Sequence, residues 1–298
     1  MKRIALIGLG TISRYYKKGL ENSPVFRLVA TADLSKKASA KEVYNEYPFY
    51  LDYTQMAQAQ KPDYALIATP PKTHFEIAEY FLSRGVSVIV EKPAVLSLAD
   101  YDTLTALAKA NGAYFTVMFH WQHGGELAYY LRKFGEKPIQ EIRVKICDNY
   151  GVGGVIREEK RPLSGAWLDS GVNALSMLAR LLDFSSAQII YTEKELCKES
   201  GLPLYCKVGL QIGKTKTEIV VDWREEKDDK DSWLTVDGEK VWINHTKERV
   251  ISEVESVECM QMPRLESHYY NYFTTFEEGE TPQGRRIHEL LFAVNERL

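Results

Sequence analysis

Over roughly its first 120 residues the chain alternates short apolar runs with helical stretches. That alternation limits the fold more than any other feature. Ile4–Gly8, Phe26–Ala32, Tyr64–Ala68, Val86–Val90 and Tyr114–Phe119 read as buried strands. Helices are expected over Ile12–Asn22, from about Lys36, over Thr73–Arg84, and from Ser97 to Asn111-Gly112. Ser97 with Asp100 resembles a capping box, and Asn-Gly is a stop signal. Strands separated by helices at this spacing require crossover connections, and so a parallel sheet covered on both faces.

The pattern changes after His123-Gly124-Gly125. A helix is expected over Glu126–Phe134, an alternating strand over Ile139–Cys147, a glycine- and charge-rich loop over 151–165 and a helical block over 166–182. Strand-like runs follow at 187–193, 204–212, 217–223, 232–236, 240–244 and 248–254, with Asp237-Gly238 as a hairpin turn. Helices over 264–278 and 284–297 close the chain. The 298 residues suffice for about two domains without a disulfide or metal staple.

Composition excludes several classes. Lys and Arg number 38 against 41 Asp and Glu, a net charge of −3, so neither a nucleic-acid-binding face nor a polybasic membrane anchor is expected. No apolar run approaches the ~20 residues of a membrane span. The N-terminal MKRIALIGLG is broken by Gly8 and Gly10 and followed by Arg14, Lys17 and Lys18, which reads as a first strand rather than a signal peptide. Cys147, Cys197, Cys206 and Cys259 form no CxxC pair, so no metal is expected and a reducing cytoplasm is the expected location.

The turn after the first strand carries the first chemical signal. Gly8-Leu9-Gly10-Thr11-Ile12-Ser13 joins strand to helix. Two glycines there permit a tight turn and a close approach to a pyrophosphate, and the helix N-terminus supplies amide donors. Asp33, 23 residues beyond Gly10 at the end of the next strand, is placed to accept hydrogen bonds from an adenosine ribose. Its carboxylate would repel a 2′-phosphate and favours NAD, while Ser35, Lys36 and Lys37 leave NADP open. The third strand runs into Thr69-Pro70-Pro71-Lys72-Thr73-His74 and the fourth into Glu91-Lys92-Pro93. Both are carboxyl ends of strands, where ligands of such sheets bind. Read alone, His74 is a residue at the start of a helix, and Glu91-Lys92 is either a salt bridge at a strand end or a lysine held for a substrate hydroxyl.

GLGTIS, Asp33, ATPPKTH and EKP, in that order and spacing, resemble the Gfo/Idh/MocA family of NAD(P)-dependent oxidoreductases. The resemblance implies an α/β chain with an N-terminal Rossmann dinucleotide-binding domain, here over 1–122. It also implies a C-terminal α+β substrate domain over 123–298 with a largely antiparallel open sheet, the last helix being free to pack back on the first domain. It implies a sugar or polyol substrate, Lys92 beside the nicotinamide, a cis peptide before Pro93, and a homodimer or homotetramer built through the second-domain sheet. Thr11, Ile12, Thr69, Pro70, His74 and Glu91 join the glycines, Asp33, Ser35 and Lys36 as expected cofactor contacts.

The family's Asp…His pair, four residues apart on one helix, appears here as Asp169 and Asn173. This variant, with Phe119-His120-Trp121, Val221-Asp222-Trp223-Arg224 and Trp233, resembles the aldose 1-dehydrogenases of the family. The resemblance implies hydride transfer from C1 of a pyranose to give a lactone. Lys92, with a lowered pKa, would polarise the hydroxyl, Asp169 would orient Lys92 or accept the proton, and Asn173 would fix the sugar. Trp121, His123 and Asp148 are the further candidates around the sugar; Trp121 is also readable as core, His123 as a surface residue at the domain boundary and Asp148 as part of a solvated loop. Oxidation of another sugar or inositol ring hydroxyl, or a non-catalytic dinucleotide-binding regulator, are the alternatives. The charge run Arg224–Asp231 reads as a solvated turn.

Overall fold

The computed structural model describes residues 1–35 and 42–298, so the helix expected from Lys36 falls largely outside the described residues. The chain forms two compact units, Met1–Met118 with His268–Gly284, and Phe119–Ser267 with Arg285–Leu298.

In the first unit β1 (Lys2–Ile7), β2 (Phe26–Ala32), β3 (Phe49–Tyr50), β4 (Tyr64–Ile67), β5 (Ser87–Glu91) and β6 (Phe115–Met118) pair in parallel in the order β3-β2-β1-β4-β5-β6. This is the doubly wound arrangement of a Rossmann sheet. β4, β5 and β6 are buried at every position, as strands covered on both faces require. The helices are α1 (Ser13–Glu21), α2 (Tyr53–Gln60), α3 (His74–Leu82) and α4 (Leu98–Ala110). Ser97 caps α4 by accepting from the Asp100 amide at 3.1 Å, and Gly112 takes a positive φ just past its end. The two-residue β3 and the short α2 were not expected, because two residues carry no periodicity and α2 begins from Asp52, a cap without an apolar stripe behind it.

Residues 268–284 return to this unit, rather than the last helix. Tyr269, Tyr272 and Phe273 share one apolar core with Ile4, Leu6, Tyr16, Phe26, Leu66 and Ile89. The close approach depends on Gly19, where a Cβ would lie 2.6 Å from the Phe273 ring and 2.8 Å from the Tyr269 carbonyl oxygen.

The second unit begins at Phe119, four residues before the expected boundary. It contains α5 (Gly125–Phe134), α6 (Val172–Leu181) and an eight-stranded sheet. The strands are β7 (Ile139–Cys147), β8 (Gln188–Leu196), β9 (Pro203–Ile212), β10 (Thr215–Asp222), β11 (Asp229–Val236), β12 (Glu239–Asn244), β13 (Arg249–Ile251) and β14 (Ser256–Glu258). Their order is β14-β13-β12-β11-β7-β10-β9-β8, antiparallel except for β7–β10. Asp237 and Gly238, both at positive φ, turn β11 into β12. Helix α7 (Arg264–Thr274) begins in this unit, and α8 (Gly284–Arg297) closes the chain within it. Among the described residues no helix is long and apolar enough to cross a membrane.

Replacing Gly19 with alanine is expected to lower stability by about 1–3 kcal/mol, the usual cost of overpacking, read as a lower urea midpoint. An unchanged midpoint would mean that the returning segment is not held against α1 as described.

Candidate functional site

The carboxyl ends of β1, β2, β4 and β5 gather the sequence-predicted residues of the first unit. After β1, Gly8 has φ +92°, and a Cβ there would lie 2.7–2.8 Å from backbone atoms of Ala68 and Thr69. Only glycine allows β1 and β4 to leave the sheet so close together. Gly10 is the opposite case: it is exposed, and a Cβ would meet nothing within 4 Å. Helix α1 has Ile12 at its N-cap, no side-chain cap and no acid in its first turn, so its positive end is open to an external anion, while the Ser13 and Tyr15 amides donate to the Gly10 and Ile12 carbonyls at 3.3 and 3.0 Å. Thr11 is exposed and Ile12 half-buried beside them. Ser13, the third small position of the turn, is buried. It donates to the Gly10 carbonyl at 2.7 Å and accepts from the Tyr44 hydroxyl at 2.6 Å, a brace for the turn that the sequence did not reveal.

Asp33 follows β2 and closes the turn from the other side. Its Oδ2 accepts from the Leu9 amide at 2.7 Å and its Oδ1 from the Ser35 amide at 2.8 Å. Each carboxylate oxygen keeps a second lone pair for a ribose hydroxyl. Ser35 is exposed, and Lys36 lies outside the described residues. An open glycine, a helix start without a side-chain cap and a fixed carboxylate fit the pyrophosphate and ribose of a dinucleotide.

Two expected cofactor contacts turn inward instead. The His74 side chain is wholly buried, with Nδ1 3.0 Å from the Pro93 carbonyl and Nε2 2.7 Å from the Thr69 carbonyl. A neutral imidazole donates to one of these and an imidazolium to both. Burial pushes its pKa down, against the pull of the carbonyls. His74 therefore joins the end of β4 to the end of β5 and presents no atom to a ligand. Thr69 and Pro70 remain accessible, and Thr73 donates to the Thr69 hydroxyl at 2.8 Å.

Glu91 is the second correction. Its Oε1 accepts from the hydroxyls of Tyr16 at 2.9 Å and Tyr269 at 2.5 Å, and its Oε2 from the Lys92 amide at 3.0 Å. Burial raises its pKa, opposed by Lys92 and by both tyrosine hydroxyls. Neither tyrosine was named from the sequence, because Tyr269 comes from 178 residues away. Lys92 itself is half-buried, and the peptide to Pro93 is cis.

In the second unit Asp169 and Asn173 lie where the helical block begins, but Trp167–Gly171 forms a π-helical turn rather than α-helix. The wider turn adds a residue to the repeat, and such turns concentrate at functional sites. Asn173 Nδ2 reaches the Asp169 carbonyl oxygen at 3.4 Å, while its buried Oδ1 has no hydrogen-bond partner among the described residues.

Asp148 and Trp121 are also corrected. Asp148 is buried, paired with Lys230 at 2.8 Å and accepting from Ser170 at 2.7 Å, so it does not line an open pocket. Lys230 belongs to the charge run expected to be solvated. It is buried because β11 starts at Asp229 and pairs Lys230 with Ile146. Trp121 is 2% exposed, packed against His245 at 4.9 Å, which is the core alternative. His123 is partly buried, and burial first, then Arg180, pushes its pKa down to about 4.

The two units match known proteins as follows. Residues 2–119 match the model of the Gfo/Idh/MocA oxidoreductase family, NAD-binding Rossmann fold. The chain is 30% identical over 189 residues to a putative UDP-kanosamine synthase oxidoreductase subunit from Amycolatopsis mediterranei, covering 60% of this chain and 51% of that one. It is 29% identical over 189 residues to the scyllo-inositol 2-dehydrogenase (NADP(+)) IolU of Bacillus subtilis, covering 58% and 56%. It thus spans about half the length of these relatives. The crystal structure of a D-galactose-1-dehydrogenase protein from Rhizobium etli superposes with a TM-score of 0.81 at 20% identity, over 98% of this chain and 94% of that one.

Two groups of the second unit, one buried and one partly buried, should shape its pH response in opposite directions. Burial, then the neighbouring Glu126 charge, pushes the Glu248 carboxyl up to about 7. The native form holds a proton that the unfolded chain has lost, so this contribution is full below about 4.5 and disappears as pH rises to about 7. His123 does the reverse: its contribution is present above 6.5 and is lost as pH falls to about 4. Each could reach on the order of 3 kcal/mol at 1.36 kcal/mol per unit. Glu248→Gln should therefore gain stability over the parent above pH 7 and lose the decline between pH 4.5 and 7. Urea melts of the two chains across that range check this. Parallel pH profiles would contradict it.

Proposed function

Because residues 2–119 match the model of the Gfo/Idh/MocA oxidoreductase family, NAD-binding Rossmann fold, we propose that the chain is an NAD(P)-dependent sugar dehydrogenase oxidising C1 of an aldose. The observation that carries the sugar reading is Asn173 Oδ1, a buried acceptor without a donor among the described residues, close in sequence to Asp169. Such an atom costs about 1–3 kcal/mol unless a ligand supplies the donor, and a sugar hydroxyl is a donor of the right kind.

A bound nicotinamide would supply the hydride acceptor for C1. Lys92 donates a hydrogen bond to the reacting hydroxyl, which favours the alkoxide forming there. Asp169 accepts the hydroxyl proton, the oxygen closes a C=O bond to C1, and the product is a lactone. Asn173 accepts from one neighbouring hydroxyl and holds the ring for transfer. The uncapped start of α1 and Gly10 take the pyrophosphate, and Asp33 takes the ribose. The Asp33 carboxylate favours NAD over NADP by repelling a 2′-phosphate. Oxidation at another ring carbon is the second reading, supported by the similarity to the scyllo-inositol 2-dehydrogenase.

Absorbance at 340 nm with NAD or NADP over a panel of aldoses and polyols separates these readings. Signal with aldoses alone supports C1 oxidation, and signal with inositols alone supports the second. Dinucleotide binding with silence across the panel overturns both and leaves a non-catalytic regulator. Lys92→Ala and Asp169→Ala are each expected to lower turnover by a factor on the order of 10²–10⁴. Near-parental turnover in both would remove these residues from the chemistry.

We also propose that the outer face of the second-unit sheet meets a second copy of the chain. Trp233 and Trp242 are cross-strand partners there, 40% and 37% exposed, and Arg143 lies over the Trp233 ring. Exposed aromatic pairs of this kind mark contact surfaces. Light scattering should find a dimer or tetramer that Trp233→Glu reduces to smaller species. A parental chain that is monomeric at micromolar concentration would contradict it.

A further inference from the structure

The π-helical turn that carries Asp169 is fastened from behind by a buried polar chain that starts on the sheet. Ser170, 1% exposed, donates to Asp148 Oδ2 at 2.7 Å and accepts from the Trp223 indole N–H at 3.0 Å. Asp148 Oδ1 is paired with Lys230 at 2.8 Å, and Lys230 also donates to the Cys147 carbonyl at 3.3 Å. These groups come from three adjacent strands: Asp148 follows β7, Trp223 follows β10, and Lys230 opens β11. All are nine-tenths buried or more.

The far end of the turn is fixed independently. The Trp167 indole N–H donates to the Leu291 carbonyl of α8 at 2.9 Å. Gly171 allows this, because a Cβ there would lie 2.5 Å from the Trp167 ring. The turn is thus held at Trp167 and at Ser170, with Asp169 between them. Consecutive residues of a helical turn point in different directions, so locking Ser170 inward sets where the Asp169 side chain points.

We infer that Lys230, Asp148, Ser170 and Trp223 form a positioning chain that fixes the direction of Asp169, and with it the geometry of proton acceptance. The inference rests on the proposed role of Asp169. Each member has its polar atoms satisfied by the next, and a fully satisfied buried network specifies one arrangement. Removing the Ser170 hydroxyl leaves the indole N–H and one carboxylate oxygen without their partner, and frees the turn to rotate. A displacement of about 1 Å at a reacting group can cost on the order of a hundredfold in rate.

The test compares Ser170→Ala, Trp223→Phe, Asp169→Asn and the double variant Asp169→Asn/Ser170→Ala in the full-length chain. The substrate is the sugar most active in the panel above. Ser170→Ala is expected to lower kcat by about tenfold to a hundredfold, with KM for the dinucleotide unchanged. Trp223→Phe, which keeps a smaller aromatic ring but loses the indole N–H, should lower kcat in the same direction by a smaller factor. In the double variant the Ser170→Ala effect should vanish, because a positioning residue has nothing left to position. A structural readout needs no substrate: the side-chain carboxyl carbon resonance absent from Asp169→Asn should shift in Ser170→Ala. Melting temperature and dinucleotide affinity report whether each variant is folded.

The outcomes separate cleanly. If Asp169→Asn retains parental turnover, the catalytic reading fails whatever Ser170 does. If Asp169→Asn is impaired while Ser170→Ala keeps parental kcat and an unmoved Asp169 resonance, the positioning chain is overturned. Equal losses from Ser170→Ala with and without Asp169 would also overturn it, since they would show a general structural role.

Discussion

The carboxylate of Glu91 is the interaction on which the first unit depends. It ends the interior strand β5, is 7% exposed, and takes three hydrogen bonds, from Tyr16, Tyr269 and the Lys92 amide. Taking a carboxylate out of water is costly unless it is fully bonded. Here two phenols and one amide provide that bonding. In doing so they tie the sheet to α1 and to the segment that returns from the far end of the sequence. The same carboxylate fixes the backbone from which Lys92 projects, and His74 holds the Pro93 carbonyl on the other side. A lysine on such a scaffold has little backbone freedom, as the role proposed for Lys92 at a substrate hydroxyl requires.

The second unit solves the same problem with different chemistry. Its candidate base sits on a π-helical turn braced by a buried ion pair, a hydroxyl and an indole. In each unit the half-buried candidate residue, Lys92 or Asp169, stands next to a buried polar residue that does the holding, Glu91 or Ser170. Breaking one partner of such a network costs more than the net value of the bonds, because a buried polar group is left unmatched.

Five of the six parallel strands were legible in the sequence because burial on both faces demands continuous apolar runs, and the hairpin at Asp237-Gly238 because both of its turn residues take a positive φ. The phosphate-binding turn was legible for the same reason: Gly8 has no space for a side chain and Gly10 has open space in front of it. What failed were roles that depend on long-range pairing. Asp148 ends a strand beside a glycine loop, which is where pocket residues sit. Only the register of β7 against β11 reveals that Lys230 is waiting for it. Glu91 ends β5 and His74 opens the helix that follows β4, both near the carboxyl ends of strands, as cofactor contacts are. Their inward orientation depends on the Pro93 carbonyl and on Tyr269, neither of which a local window can pair with them. Trp121 was legible only as an aromatic, and aromatic residues serve cores more often than sugars.

The central claim is that hydride leaves C1 of an aldose for the nicotinamide. It is tested most directly by incubating the chain and NAD or NADP with aldoses deuterated at C1, including D-galactose and L-arabinose, then weighing the cofactor. The account predicts reduced cofactor heavier by one mass unit, accompanied by the lactone or its hydrolysis product. Reduced cofactor without the label would contradict it, and so would the absence of any reduced cofactor.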